Sequence, residues 1–159
     1  VLGVDMGMYY RRLDYSKMVK GRHPIAAYEF LGPKLEGKDV ILIDDMISSG
    51  KSILEIASLL KKRGAGKIFI CTTFGLFTEG MEKFDEAYQN GIFDKLLTTN
   101  LVYQTPELLS KPYYITCDMS KYIALIIDTL NHDMSVSHLL NPADRIKRCV
   151  SNYMAQYEK

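Results

Sequence analysis

The chain lacks the features that mark several common functional classes. Neither sign of charge is in excess: 20 Lys and Arg against 19 Asp and Glu leave +1 over 159 residues. That balance gives no reason to expect a nucleic-acid or membrane partner. No apolar run reaches the length of a membrane span, and none reads as a signal peptide. Cysteine is scarce. Cys71, Cys117 and Cys149 are odd in number and widely spaced, which argues against a disulfide framework and a zinc-binding set. Cys71 and Cys117 sit in apolar, strand-like runs and read as reduced core thiols, so the expected compartment is the cytoplasm. His132 and His138 flank a turn without the clustering a metal site requires, and no protein-held metal is predicted. Internal repeats and low-complexity tracts are also absent.

What is present is a chain of single-domain length, residues 1–159, with 47% hydrophobic residues, enough for a real core. Apolar runs alternate with helical periodicity. Strands are expected at about Val4–Tyr10, Asp39–Ile43, Lys67–Thr73, Lys95–Thr99 and Pro112–Cys117, with a short one at Ala26–Phe30. Helices are expected at about Ser52–Arg63, Thr78–Gln89, Ser120–Asn131 and Pro142–Tyr157. In the third of these Ile123, Ala124, Ile126, Ile127 and Leu130 should face inward. Such alternation implies an α/β fold with a mostly parallel central sheet in three layers. Between Arg11 and about Pro33 lies a long polar stretch, and loops of that length are often functional.

The densest information lies in Asp39-Val40-Ile41-Leu42-Ile43-Asp44-Asp45-Met46-Ile47-Ser48-Ser49-Gly50-Lys51-Ser52. An apolar strand ends in two carboxylates, and a small-residue loop leads into a helix. Backbone N–H groups at such a turn can hold an anion. Carboxylates beside it suit ribose hydroxyls or a metal ion. Together they describe a sugar-phosphate site. A nucleotide P-loop is excluded by spacing: Asp45 stands where the first glycine belongs. An ordinary strand–turn–helix capped by a serine is the plainer alternative.

The same stretch resembles the phosphoribosyl-diphosphate (PRPP) motif of the type I phosphoribosyltransferase fold, and within it the ribose-phosphate diphosphokinase, or PRPP synthetase, family. Gly37-Lys38-Asp39, Cys71-Thr72-Thr73-Phe74-Gly75-Leu76-Phe77, Leu97-Thr98-Thr99-Asn100 and Ser135-Val136-Ser137-His138-Leu139-Leu140 resemble that family's segments in the same order. The resemblance implies transfer of a diphosphoryl group from ATP to ribose 5-phosphate, with Mg²⁺, in a homo-oligomer. It puts Asp44 on the ribose hydroxyls and Asp45 on ribose or metal-bound water. Ser48, Ser49, Gly50, Lys51 and Ser52 would hold the 5-phosphate. Arg11 and Arg12, after the first strand, would take the place of the family's cations on a closing loop, with Lys20 and Arg22 as second choice.

The chain departs from the family at Ser48, where Asp is usual, and at Lys51, where a small residue is usual. Arg11 replaces the family's lysine and Leu13 its arginine. By the same resemblance the chain corresponds to the C-terminal half, and an isolated piece of that kind is expected to be inactive as a synthetase. Two other readings stay open: a non-catalytic regulatory homologue, and a phosphoribosyltransferase acting on a nucleobase.

Overall fold

The computed structural model describes residues 3–13, 16, 18 and 25–157. They fall into two compact units, Asp5–Asp118, and Met119–Lys159 with Val1–Val4.

The larger unit begins with a hairpin. β1 (Met8–Leu13) runs antiparallel to β2 (Ile25–Leu31). Met8 lies opposite Leu31 and Arg12 opposite Ala27, with an irregularity between Arg12 and Leu13. The expected first strand is thus displaced toward the C-terminus, and it pairs antiparallel in a sheet of its own. Arg11 and Arg12 lie within that strand, not on a loop after it. The apolar-and-aromatic stretch from Val4 to Tyr10 suggested a strand, but cross-strand pairing carries the extended chain past the two arginines.

Four parallel strands follow, β3 (Val40–Ile47), β4 (Ile68–Gly75), β5 (Lys95–Thr99) and β6 (Tyr114–Cys117), in that spatial order. They are joined by α1 (Lys51–Lys62), α2 (Glu82–Gln89) and the short α3 (Pro106–Leu109). Strand alternation sorts their side chains between two faces. Ile68, Ile70 and Leu96 are fully covered, in one cluster with Ile53, Ala57 and Leu60 of α1 and Phe84 of α2. On the other face Ile41 and Ile43 stay 55% and 78% exposed.

α2 is held by more than apolar contact. Phe93 lies edge-on to Tyr113, with ring centroids 5.3 Å apart. The Tyr113 hydroxyl donates to Asp85 at 2.7 Å, and Lys111 Nζ approaches the same carboxylate at 2.6 Å. α1 ends as its sequence suggests, with Lys61 and Lys62 in the last turn and Gly64 beyond it at φ +82°.

The second unit contains α4 (Ser120–Asn131), α5 (Ser137–Leu140) and α6 (Ala143–Tyr157). The Tyr122 hydroxyl donates to the Leu139 carbonyl, and the Arg145 guanidinium lies over the Tyr122 ring at 5.4 Å. The expected inward face of α4 is not buried: Ile123, Ile127 and Leu130 are exposed, and Thr129 is the covered residue. Periodicity gave the helix its correct bounds but does not say what will cover its apolar stripe. Among the described residues no helix is long and apolar enough to cross a membrane.

Candidate functional site

The site is built where β3 passes into α1. β3 runs on through Asp44 and Asp45 to Ile47, longer than its apolar run alone suggests, because β4 keeps pairing with it. Asp44 is in register with Thr72, Met46 with Phe74 and Ile47 with Gly75. Parallel register puts Asp44 beside Thr72, and both Asp44 and Asp45 are exposed. Asp44 Oδ1 accepts a hydrogen bond from the Asp45 N–H at 2.9 Å.

The loop Ser48–Gly50 is short because Gly50 turns it sharply. Gly50 has φ +81°, a left-handed conformation, and is the N-cap of α1. A Cβ at this position would drive into the Phe84 ring. Glycine is therefore required twice here, for its dihedral angle and for the close approach of an aromatic ring. Ser52 does not act as the cap of the plainer alternative; it lies one residue into the first turn, and among the described residues no side chain caps α1. Nor is there an acidic residue in that turn. Its N–H groups face outward with the positive end of the helix dipole behind them.

The loop is tied to the turn after β4. The Leu76 N–H donates to the Ile47 carbonyl at 2.8 Å, and the Thr78 N–H to the Ser48 carbonyl at 3.0 Å. The Ser48 and Thr78 hydroxyls lie 3.5 Å apart. Thr78 is thus a loop brace, not the helix cap its sequence suggests; α2 begins later, at Glu82.

Asp44, Asp45, Ser48, Ser49, Gly50, Lys51 and Ser52 all line one cleft, of about 230 Å³. A larger groove of about 730 Å³ runs between α1 and α2, but its walls are Leu54, Leu59, Ala87 and Ile92 with Lys and Glu at the rim. Ser58 and Asn90 also line it, but it holds neither the uncapped helix N-terminus nor the Asp44–Asp45 pair, so the smaller cleft is the better candidate. Lys51 borders both. The Lys83 hydrogen bond and charge hold the Glu79 carboxyl below the usual range, and Lys51 adds to that effect. Lys51 is thus near enough to Glu79, in the turn before α2, to act on its charge.

β5, β6 and the loop between them carry a hydroxyl and amide network that local sequence did not mark. Gln104 Nε2 donates to the Tyr114 hydroxyl at 2.6 Å and to the Thr99 carbonyl at 3.2 Å. Thr116 Oγ1 donates to Gln104 Oε1 at 3.0 Å, and Thr98 Oγ1 pairs with the Tyr114 hydroxyl at 2.5 Å. Among the described residues the buried Thr72 hydroxyl has no hydrogen-bond partner. The partners come from three separate chain segments, so no spacing could have announced them. Phe74, at the end of β4, is 39% exposed.

Arg11 and Arg12 lie in β1, but their side chains fall outside the described part of the structure. Lys17, Lys20, Arg22 and His23 lie outside the described residues.

A family model described as the phosphoribosyl synthetase-associated domain matches residues 16–141. The chain belongs to this family. The phosphoribosyl synthetase-associated match takes in the cleft and the whole four-stranded sheet, and it ends before α6. Relatives named ribose-phosphate pyrophosphokinase share clear identity with the chain. The Prochlorococcus marinus protein is 33% identical over 124 residues, covering 68% of this chain and 37% of the relative. The Thermococcus kodakarensis protein is 36% identical over 93 residues, or 57% of this chain and 31% of the relative. The Vibrio parahaemolyticus protein is 26% identical over 107 residues, or 67% and 33%. The chain thus spans about a third of the length of these relatives. The crystal structure of phosphoribosylpyrophosphate synthetase from Mycobacterium smegmatis shares the fold, with a TM-score of 0.59 at 21% identity, over 69% of this chain and 35% of that one.

Proposed function

We propose that this chain is the ribose-phosphate-binding portion of a ribose-phosphate diphosphokinase. That enzyme converts ATP and ribose 5-phosphate to PRPP and AMP and supplies nucleotide biosynthesis. The observation that carries the reading is the uncapped N-terminus of α1 opening into a cleft walled by Asp44. The family membership and the names of the relatives support it.

In this reading the N–H groups of Lys51 and Ser52 and the hydroxyls of Ser48, Ser49 and Ser52 hold the 5-phosphate. Asp44 accepts hydrogen bonds from the ribose 2- and 3-hydroxyls, which turns the 1-hydroxyl outward. The 1-hydroxyl oxygen attacks the β-phosphorus of ATP and gives up its proton to solvent, the bond from that phosphorus to the α,β-bridging oxygen breaks, and AMP leaves with that oxygen. Cations near the transferring group stabilise the charge spread over its oxygens, and Arg11 and Arg12 on the hairpin are the residues assigned to that task. The protein does little covalent work; alignment supplies most of the acceleration.

Among the described residues no three His, Cys, Asp or Glu side chains form a metal-holding group. A Mg²⁺ ion bound mainly by substrate phosphates needs only one or two carboxylates and keeps several waters. Asp45, at the cleft rim, fits that limited role through a metal-bound water, and the ion would neutralise phosphate charge. We assign the parent protein to the cytoplasm as a homo-oligomer, with ATP and ribose 5-phosphate as its partners.

Titration calorimetry of the chain with ribose 5-phosphate, ribose, PRPP and adenine tests this reading. Ribose 5-phosphate and PRPP are expected to bind, ribose at least about tenfold more weakly because it leaves the helix N-terminus unused. Adenine binding that outlasts removal of the sugar phosphate would favour the nucleobase transferase. Equal binding of ribose and ribose 5-phosphate would overturn the site.

A further inference from the structure

Among the described residues the β1–β2 hairpin shares no hydrogen-bonded ladder with the four-stranded sheet, yet its base is packed. Phe30, near the end of β2, packs on the Tyr9 ring of β1 with centroids 4.9 Å apart. The Arg63 guanidinium, at the C-cap of α1, lies over the same Phe30 ring at 5.1 Å. Gly7 and Gly32 close the pocket around that ring. A Cβ on either would sit 2.7 Å from Phe30 ring atoms, and one on Gly32 would also sit 2.8 Å from Gly7 Cα. Tyr9 and Phe30 pack against the main core.

Among the described residues the buried Tyr9 hydroxyl has no hydrogen-bond partner of good geometry. Burial raises its pKa, and the neighbouring Arg63 charge works against that rise. Arg63 is therefore close to both rings of the hairpin base. A second tie is the ion pair of Asp5 and Lys38 at 2.9 Å, but both partners are more than half exposed, so it holds weakly.

We propose that Arg63 is a positioning residue: stacked on Phe30 beside Tyr9, it fixes the base of the hairpin to the C-terminal end of α1 and so orients the arm that carries Arg11 and Arg12. α1 then links two parts of one site. Its N-terminal end forms the phosphate cleft, and its C-terminal end anchors the arm. This rests on the reading above in which the hairpin arginines meet the diphosphate. Arg12 is three residues from Tyr9, about 10 Å along an extended strand, so a tilt at the base is carried to the cations.

The test compares Arg63→Met, Arg63→Lys and Phe30→Leu with the natural chain. Hydrogen exchange of β1 and β2 amides reads the anchor. Calorimetry with PRPP and with ribose 5-phosphate reads its consequence. Arg63→Met is expected to speed hairpin exchange about three- to fivefold, the scale of an exposed cation–aromatic contact, with β3–β6 amides unchanged. PRPP affinity should fall by a similar factor and ribose 5-phosphate affinity should stay within about twofold, since only PRPP carries the diphosphate. Arg63→Lys, which keeps the charge but loses the planar face, should lie between. Phe30→Leu should give a larger change with the same pattern.

Unchanged hairpin exchange in both Arg63→Met and Phe30→Leu overturns the anchor. Faster exchange with unchanged PRPP affinity overturns the positioning role. Equal loss for PRPP and ribose 5-phosphate also overturns it, since that is what a general structural defect gives. Failure of the natural chain to bind either compound defeats the site reading instead, and hairpin exchange still decides the anchor.

Discussion

The two ends of the β3–β6 sheet are built from the same strands with opposite chemistry. Toward the amino ends stand Ile68, Ile70 and Leu96, sealed beneath α1 and α2. Toward the carboxyl ends stand Asp44, Thr72, Thr98, Thr99 and Thr116, with the Ser48–Gly50 loop. The closed end gains stability from apolar burial. At the open end Thr72 and Thr98 are buried, while Asp44 and Thr116 stay exposed, and ligands generally collect at the carboxyl ends of parallel strands. Phe84 joins the two. Its ring is fully buried in the core, and the same ring sets the closeness of approach at Gly50. The core and the tight turn at Gly50 therefore share one side chain, while Asp44 stands exposed at the cleft.

Breaking the closed end should produce the largest effect. Phe84→Ala removes a fully buried ring and is expected to cost roughly 3–5 kcal/mol in a urea unfolding titration. Because Gly50 rests on that ring, the variant should also bind ribose 5-phosphate less tightly under conditions where it remains folded. A loss below about 1 kcal/mol would show that the cavity refills, and would separate the loop from the core.

Breaking the open end should leave the core intact. Asp44→Ala is expected to reduce ribose 5-phosphate affinity by at least about tenfold, the scale of a lost charged hydrogen bond, with the unfolding midpoint little changed. Circular dichroism establishes that the fold is retained before calorimetry is read. Unchanged affinity in a folded variant would remove Asp44 from the site.

The closed end also has an acid-sensitive lock. Burial alone would raise the Asp85 carboxyl, but hydrogen bonds from Lys111 and Tyr113, with the Lys111 charge, outweigh it and hold the pKa below the usual value. A lowered folded pKa gives stability that is present above the unfolded aspartate value, about 3.9, and is lost as pH falls through the folded value. Asp85→Asn should therefore be less stable than the natural chain at pH 7, and the gap should close below about pH 3.9. A gap independent of pH would mean that Tyr113 packing, not the carboxylate, holds α2.

The smallest effect is expected at Lys51, which divides its field between the cleft and Glu79. Lys51→Gln should weaken phosphate binding by about two- to threefold at low salt, the range of an exposed ionic contact. The difference should vanish near 1 M salt, where screening acts within about 3 Å. Identical salt dependence of the two proteins would place the Lys51 charge wholly on the α2 side.

Much of the site was legible because it is local. Seven residues from Asp44 to Ser52 converge on one cleft as their order implied, since a strand, a turn and a helix in sequence bring them together with few alternatives. β5 and α4 kept their expected bounds: the short β5 stops before Asn100, and helical spacing leaves α4 little choice. The short α3 and α5, of four residues each, carry too little periodicity to be read.

By itself, the sequence determined the order of strands and helices, the parallel character of the main sheet and the identity of the loop residues. Those follow from periodicity and from backbone needs of a tight turn. Tertiary structure alone decided the rest. It made the first strand half of an antiparallel hairpin, since pairing depends on a partner far along the chain. It assigned the capping position to Gly50 instead of Ser52, because the Phe84 ring admits no side chain there. It turned Thr78 into a brace for Ser48, and it left the stripe of α4 exposed. Each of these depends on contacts between distant segments, and no local pattern of residues encodes which surface will be met by which.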